Sequence, residues 1–337
     1  LENITQLNQK NKSGSLKPII TIFTAPKPFG KNPHIDIIQR NCILTCKHLG
    51  AEVEFVLIGY EDGIAETAKE LGVKCFTNVR TTPQGTPLVS SIFELARSAN
   101  DSPLLSVINA DNLLLPDYVA AAKAMLQQAD KFLMCGQRLD VDINKPLDFS
   151  PGWQNNLRQC ILKEGKPLGI VGSDFFIFPR QCYTDMPDFA IGRSGWDNWM
   201  IYKARREGWM TVDFTDAVTV GHENHDYSHL PGGKPPYRLP ETQNNIRLAG
   251  GKYHLFLLND SNWIMNSERQ VVRPKITWKK FWREFEIFPL VKWHSDFLYK
   301  FTYAITRPKK AWNDFKTWAV QLLRKIGLKK QISEKTE

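Results

Sequence analysis

Three short stretches carry residue types able to do chemistry. Asn109-Ala110-Asp111 closes the apolar run from Leu104 to Ile108. A carboxylate at such a strand end can hold a divalent cation that neutralises a leaving diphosphate, and it serves equally well as a turn or helix-cap residue. The loop Gly192-Arg193-Ser194-Gly195-Trp196-Asp197-Asn198-Trp199 delivers Asp197 to the start of a helix. A carboxylate there can act as general base toward a hydroxyl, or simply complement the helix N-terminus. Trp196 and Trp199 flank it and suit either a sugar-stacking platform or the core. Gly221-His222-Glu223-Asn224-His225-Asp226-Tyr227-Ser228-His229 gathers three imidazoles and two carboxylates in nine residues. That spacing suggests a metal-binding helix face. Gly221 before it and Pro231-Gly232-Gly233 after it favour a loop instead, and the helical HExxH arrangement is absent.

The elements that must position these residues follow from apolar periodicity. Ile19 to Thr24 reads as a buried strand, and Asn32-Pro33 supplies an N-cap and an N1 proline for a helix carrying Ile35, Ile38, Cys42, Thr45 and Leu49. A strand over 53–58, a short helix over 64–71 stopped by Gly72, a strand near 73–76, a helix over 88–99 and the strand over 104–108 continue the alternation. Repeated strand–helix units with short connections predict an open, doubly wound, mostly parallel sheet, whose ligands bind beyond the carboxyl ends of the strands. From Gly136 the pattern loosens into a Pro/Gly-containing stretch up to Gly169, followed by an apolar strand over 170–178, a helix over 196–207, a strand over 210–214 and a helix over 241–248. The expected organisation is an arm over residues 1–17, a catalytic domain over 18–262, and a helical tail over 275–337.

Composition narrows the class. The chain has 337 residues, of which 23% are charged, and it contains no uninterrupted apolar run of 18 residues, so no spanning helix is expected. Six cysteines without paired CxxC spacing read as reduced, packed thiols rather than a zinc framework. That usage predicts a cytoplasmic setting. From Lys275 onward there are 15 Lys and Arg against 6 Asp and Glu, a net +9 equal to the formal charge of the whole chain. The basic partner-seeking surface is therefore confined to the tail, where five of the ten tryptophans also lie. Aromatics interleaved with cations suit an interfacial helix on anionic lipid, peripheral at the inner face of a membrane, or helices packed on the rest of the chain. No nucleic-acid recognition motif is present.

Taken in order, Asn109-Ala110-Asp111, Gly136-Gln137-Arg138-Leu139-Asp140, Gly172 to Arg180, Gly192 to Trp199, His225 to Gly233 and Asn245 to Gly251 resemble the GT-A-fold glycosyltransferases of the nucleotide-diphospho-sugar transferase superfamily, and within them a bacterial group common in cyanobacteria. The resemblance covers about residues 19–260. It implies a Rossmann-like nucleotide-binding half followed by an acceptor half, and transfer of a sugar from a nucleotide-diphosphate donor, UDP-sugars first, to a hydroxyl of a glycan or lipid-linked acceptor in glycan biosynthesis. It puts Thr24, Ala25 and Pro26 beside the nucleotide, and Asn109 and Asp111 where the family has Asp-x-Asp. It sets Arg138 or Arg193 against phosphate charge, and Asp174, Trp196 and Trp199 at the acceptor or sugar. Asp197 becomes the base, and Asp111 with His222 or His225 becomes the ligand set for Mn2+ or Mg2+. Asn109 departs from the motif and offers only a neutral oxygen, which weakens that metal site. Two other classes share the fold: a catalytically silent nucleotide-sugar or glycan-binding module, and a sugar nucleotidyltransferase. The latter usually carries a Gly-rich basic loop after the first strand, and Thr24 to Gly30 has one glycine.

Overall fold

A computed structural model describes residues 17–170, 173–224 and 239–325. The arm expected over residues 1–17 lies outside them apart from Lys17. The chain divides into two compact units, Leu1–Pro274 and Lys275–Glu337.

Unit 1 is mixed α/β with a mostly parallel central sheet. Strand β1 (Ile20–Thr24) is buried at every position, and the loop after it leads into α1 (Pro33–Lys47), where the Asn32 side chain accepts from the N–H groups of His34 at 3.0 Å and Ile35 at 3.4 Å. β2 (Val53–Ile58), α2 (Ile64–Leu71), β3 (Lys74–Phe76), α3 (Val89–Ser98) and β4 (Leu104–Ile108) follow. Left-handed Gly72 ends α2 (φ 62°), a conformation that costs glycine nothing. β1 lies between β2 and β4 and runs parallel to both, so the strand order reverses direction beside β1. The sheet then continues through β9 (Phe175–Pro179), antiparallel to β4, then β6 (Phe132–Cys135), β10 (Met210–Asp213), β12 (Trp263–Met265) and the edge strand β13 (Val271–Val272). Its last two strands lie beyond residue 262.

Over the carboxyl edge sits a second, four-stranded sheet ordered β5 (Asn112–Leu113), β11 (Gly221–Glu223), β7 (Leu139–Val141) and β8 (Lys166–Pro167). Helix α5 (Trp153–Glu164) closes it, burying Trp153, Leu157 and Ile161 against Leu113, Leu115 and Val141 in a core separate from that of the large sheet. Here the structure corrects the sequence reading. The stretch 136–169 holds two strands and a helix, residues 221–223 form a strand rather than a loop or a helix face, and the strand expected from residue 170 starts at Phe175. Helices α4 (Pro116–Leu126), α6 (Trp196–Arg206) and α7 (Pro240–Leu248) complete unit 1.

Among its described residues, unit 2 holds three helices: α8 (Trp278–Lys292), α9 (Asp296–Thr306) and α10 (Pro308–Lys325). Thr277 and Ser295 cap α8 and α9 through their side-chain oxygens. The buried Glu286 carboxylate ties them together, meeting Arg283, the Arg307 Nε at 2.6 Å and the Thr306 hydroxyl at 2.9 Å. Among the described residues no helix is long and apolar enough to cross a membrane.

Candidate active site at the carboxyl edge of the sheet

The reversal of strand order beside β1 leaves a crevice where the loops after β1 and β4 part, the usual ligand position in an open α/β sheet. Phe23 pairs with Val107 in register, so Thr24 and the Asn109 turn leave the sheet side by side. Thr24 is buried, and its hydroxyl has no hydrogen-bond partner among the described residues. Pro26 is buried behind it, and the next residue is pinned to α1 twice: the Lys27 N–H donates to Gln39 Oε1 at 2.6 Å, and Gln39 Nε2 donates to the Lys27 carbonyl at 3.1 Å. Across the crevice, the Asn109 N–H and the Asn112 side-chain amide both donate to the Asp174 carbonyl, at 3.0 and 3.1 Å. Asp111 therefore projects from a turn held at both ends.

The small sheet then sets Asp111 beside residues distant in sequence. His222 pairs with Asn112 on one side and Asp140 on the other. Its Nε2 lies 3.4 Å from Asp111 Oδ1, and its Nδ1 lies 3.1 Å from Asp140 Oδ1. Asp140 also accepts from Arg138 Nε at 2.9 Å, and Arg138 pairs in turn with Asp174. Burial by itself would lower the His222 imidazole, but the charge and hydrogen bond of Asp111 and the hydrogen bond of Asp140 outweigh it, and the net direction is up. Burial would raise Asp140, yet His222 and Arg138 hold it below the ordinary carboxylate range. The imidazole lies between the two carboxylates, close enough to each for its charge, when protonated, to offset theirs.

Next to this chain stands Glu223. Burial pushes its carboxyl up to about 8, against the hydrogen bond from Asn41 and with the charge of Asp111 adding to the rise. Asn41 Nδ2 donates to Glu223 Oε1 at 3.0 Å, while Asn41 Oδ1 takes the Leu147 N–H at 2.9 Å. With Glu223 neutral, three carboxylates face one guanidinium and one imidazole, so the network stays negative whether or not the imidazole is protonated. That charge and the donor types, carboxylate oxygen and imidazole nitrogen, suit a divalent cation. The described side chains do not complete such a site by themselves: among them no group of three His, Cys, Asp or Glu is placed to hold a metal, so an ion beside Asp111 would take its remaining oxygens from the diphosphate and water.

The remaining expected site residues lie apart from this chain of contacts. Asp197 is in the first turn of α6, where the Gly195 N–H donates to its Oδ1 at 3.3 Å, and burial raises its carboxyl against these backbone donors. Trp196 and Trp199 are core residues, each 7% exposed. Trp196 packs near Phe176, and Trp199 lies against Phe189 and Tyr183, so burial leaves no open indole face for a sugar. Arg193 is held by Glu241 at 2.8 Å, and Glu241 also accepts from Thr82 and Thr86 at 2.8 and 3.0 Å. His225 lies outside the described residues. In the sequence Glu223 figures only as one carboxylate of the Gly221–His229 stretch and Asp140 only as the end of the Gly136–Asp140 stretch, and Asn41 has no role. Asn41 carried a signal in its place on the face of α1 shared with Ile38 and Thr45, all three buried.

No family model matches the chain, and neither does any curated protein. Solved structures do resemble it. A mannosyltransferase from Pyrobaculum calidifontis, in complex with GDP-Man and Mn2+, is 13% identical over 66% of this chain and 62% of its own, with a TM-score of 0.38. GalNAc-T7 with UDP, GalNAc and Mn2+ is 15% identical over 71% of this chain and 49% of its own, at 0.44. The inositol-1-phosphate CTP transferase from T. maritima is 14% identical over 69% and 98%, at 0.38. The chain thus spans about three fifths and one half of the first two. Overlaps this partial identify no residue of this chain, and the fold class stands on its own strand order.

Proposed function

We propose that unit 1 is a nucleotide-sugar-dependent glycosyltransferase whose donor diphosphate lies at the crevice between the loops after β1 and β4. The observation that carries this reading is the meeting of Asp111, Asp140 and His222 next to the strand ends where Thr24 leaves β1 and strand order reverses. Arg138 is engaged by Asp140 and Asp174, so the reading does not use it against phosphate. A diphosphate approaching a network with residual negative charge requires added positive charge, which supports a divalent cation beside Asp111. When bound, such an ion neutralises the departing nucleoside diphosphate. Asp197 takes the proton of the acceptor hydroxyl as it attacks the anomeric carbon and the bond to the diphosphate breaks. A carboxyl raised by burial is a better base than an exposed one.

The test is calorimetry and thermal shift of the full chain with UDP-, GDP-, dTDP- and CMP-sugars, each with and without Mn2+, because a specific ligand stabilises the folded state by mass action. The expected result is a cation-dependent shift with one nucleotide class that Asp111→Ala abolishes in a protein that still unfolds in one cooperative transition. Asp197→Asn retains that shift and loses at least about a hundredfold in transfer. A shift without transfer or donor hydrolysis would make the protein a silent nucleotide-sugar binder, and no shift with any donor would end the reading.

A further inference from the structure

Unit 2 carries two apolar faces where a three-helix assembly needs one. The inner face is spent on packing: Ile287, Leu290 and Val291 of α8 and Tyr299, Thr302 and Tyr303 of α9 are buried, and the Thr302 hydroxyl donates to the Glu286 carbonyl at 2.7 Å. The outer face of α8 is an aromatic stripe of Trp278, Phe281, Trp282, Phe285 and Phe288, all exposed, with Trp278 at 73%. At 100° per residue these five fall within about a third of the helix circumference. Their rings touch in sequence along the helix, with centroids 5.5–5.7 Å apart from Trp278 to Phe285, and Phe288 meets Trp293 at 5.1 Å. A contact series of this kind is a surface, not scattered exposure.

The same pattern recurs on the other two helices. α9 exposes Phe297 (81%), Phe301 and Ile305 at intervals of four, opposite its buried tyrosines, and α10 exposes Trp312, Phe315 and Trp318, with Lys316 Nζ 5.4 Å from the Trp312 ring. In sequence, Lys279, Lys292, Lys300, Lys309 and Lys310 are interspersed with these aromatics, and the segment from Lys275 onward holds the whole formal excess of the chain, +9. Water is a poor solvent for such a face and an apolar protein groove is a poor partner for its charge. The headgroup layer of an anionic bilayer satisfies both, because indole and phenyl rings partition to that depth while lysines reach back to lipid phosphates.

We propose that unit 2 is a bilayer-docking module that lays its exposed aromatic stripes into the interface of an anionic leaflet, with its lysines on the headgroups. Discrete base-stacking platforms would favour single-stranded nucleic acid; the stripes instead run on into the aliphatic Leu298, Ile305 and Leu322, which add apolar depth and no stacking surface.

The experiment is co-sedimentation of the full chain with phosphatidylcholine vesicles, with and without phosphatidylglycerol, together with tryptophan emission and its quenching by brominated lipid. Binding to the anionic vesicles, at least about tenfold weaker on neutral ones, with blue-shifted and bromine-quenched emission, is the expected result. The triple variant Trp278→Ser, Phe281→Ser, Phe285→Ser is expected to lose at least about tenfold in vesicle binding with unchanged helix content. The quenching of the unsubstituted protein tests insertion even if that variant fails to fold. Absence of sedimentation with anionic vesicles, sedimentation without quenching, or a folded triple variant that binds as the parent does would overturn the proposal. A stable oligomer that stays off vesicles would assign the stripes to a second copy of the chain, and binding of single-stranded RNA in place of vesicles would assign them to nucleic acid. Vesicle binding is read without donor or metal, so its failure is separate from failure of the transferase reading.

Discussion

A carboxyl placed where Glu223 sits is held neutral at pH 7 by burial, reinforced by the charge of Asp111, and its raised value of about 8 has a consequence for stability. The ordinary value is 4.5. Between 4.5 and about 8 the folded state keeps a proton that the unfolded state releases, so the folded state binds more protons and stability falls as pH rises through that window. The raised imidazole of His222 adds a loss of the same sign above its ordinary 6.5. In the absence of divalent cation, the melting temperature is therefore expected to decline from pH 5 to pH 8. Glu223→Gln, which keeps an oxygen for Asn41 and removes the titration, is expected to flatten the decline without abolishing it. Equal slopes for the two proteins would remove Glu223 from the account.

At the scale of elements, the small sheet is what aligns Asp140, His222 and Asp111, and α5 is what holds the small sheet. Gly165 is the joint between them. Its N–H donates to the Ile161 carbonyl at 2.9 Å at the end of α5, and the chain passes at once into β8. A Cβ at this position would collide with the Ile161 carbonyl oxygen and come within 2.8 Å of Leu139 Cβ. Backbone and Cβ atoms cannot swing aside as the end of a side chain can. Gly165→Ala is expected to cost about 1–3 kcal/mol in urea denaturation, and to weaken donor binding by displacing β7 and with it Asp140. A cost below about 0.5 kcal/mol would mean that α5 and β8 separate freely.

For the molecule as a whole, charge and chemistry are segregated. The formal charges of residues 1–274 cancel, and all of the excess positive charge falls in unit 2. There the buried acid Glu286 collects two arginines and a threonine hydroxyl from α8, α9 and the turn into α10. Removing Glu286 takes away the shared acceptor that joins the three segments, while the arginines, 18% and 41% exposed, can turn to water, so the cost is about 1–3 kcal/mol. Glu286→Ala is accordingly expected to expose residues 275–325 to limited proteolysis at lower temperature than in the unsubstituted chain. Cleavage at the same temperature in both would show that the helices hold without this anchor.

The sequence by itself determined the long elements and the charge layout. β1, α1 with its Asn32 cap, α2 before Gly72 and β4 are local events, decided by apolar runs and capping residues a few positions apart. The β5–β11–β7 pairing was hidden because strands of two or three residues have no period to detect, and because His222 finds Asn112 from 110 positions away and Asp140 from 82. Even α5, with Trp153, Leu157 and Ile161 at intervals of four, was masked by the polar residues between them. Only the tertiary structure decided that His222 lies between two carboxylates, that Arg138 is engaged within the protein, and that Trp196 and Trp199 are core. Sheet register makes those choices, and it is set by which faces of distant strands must be buried together.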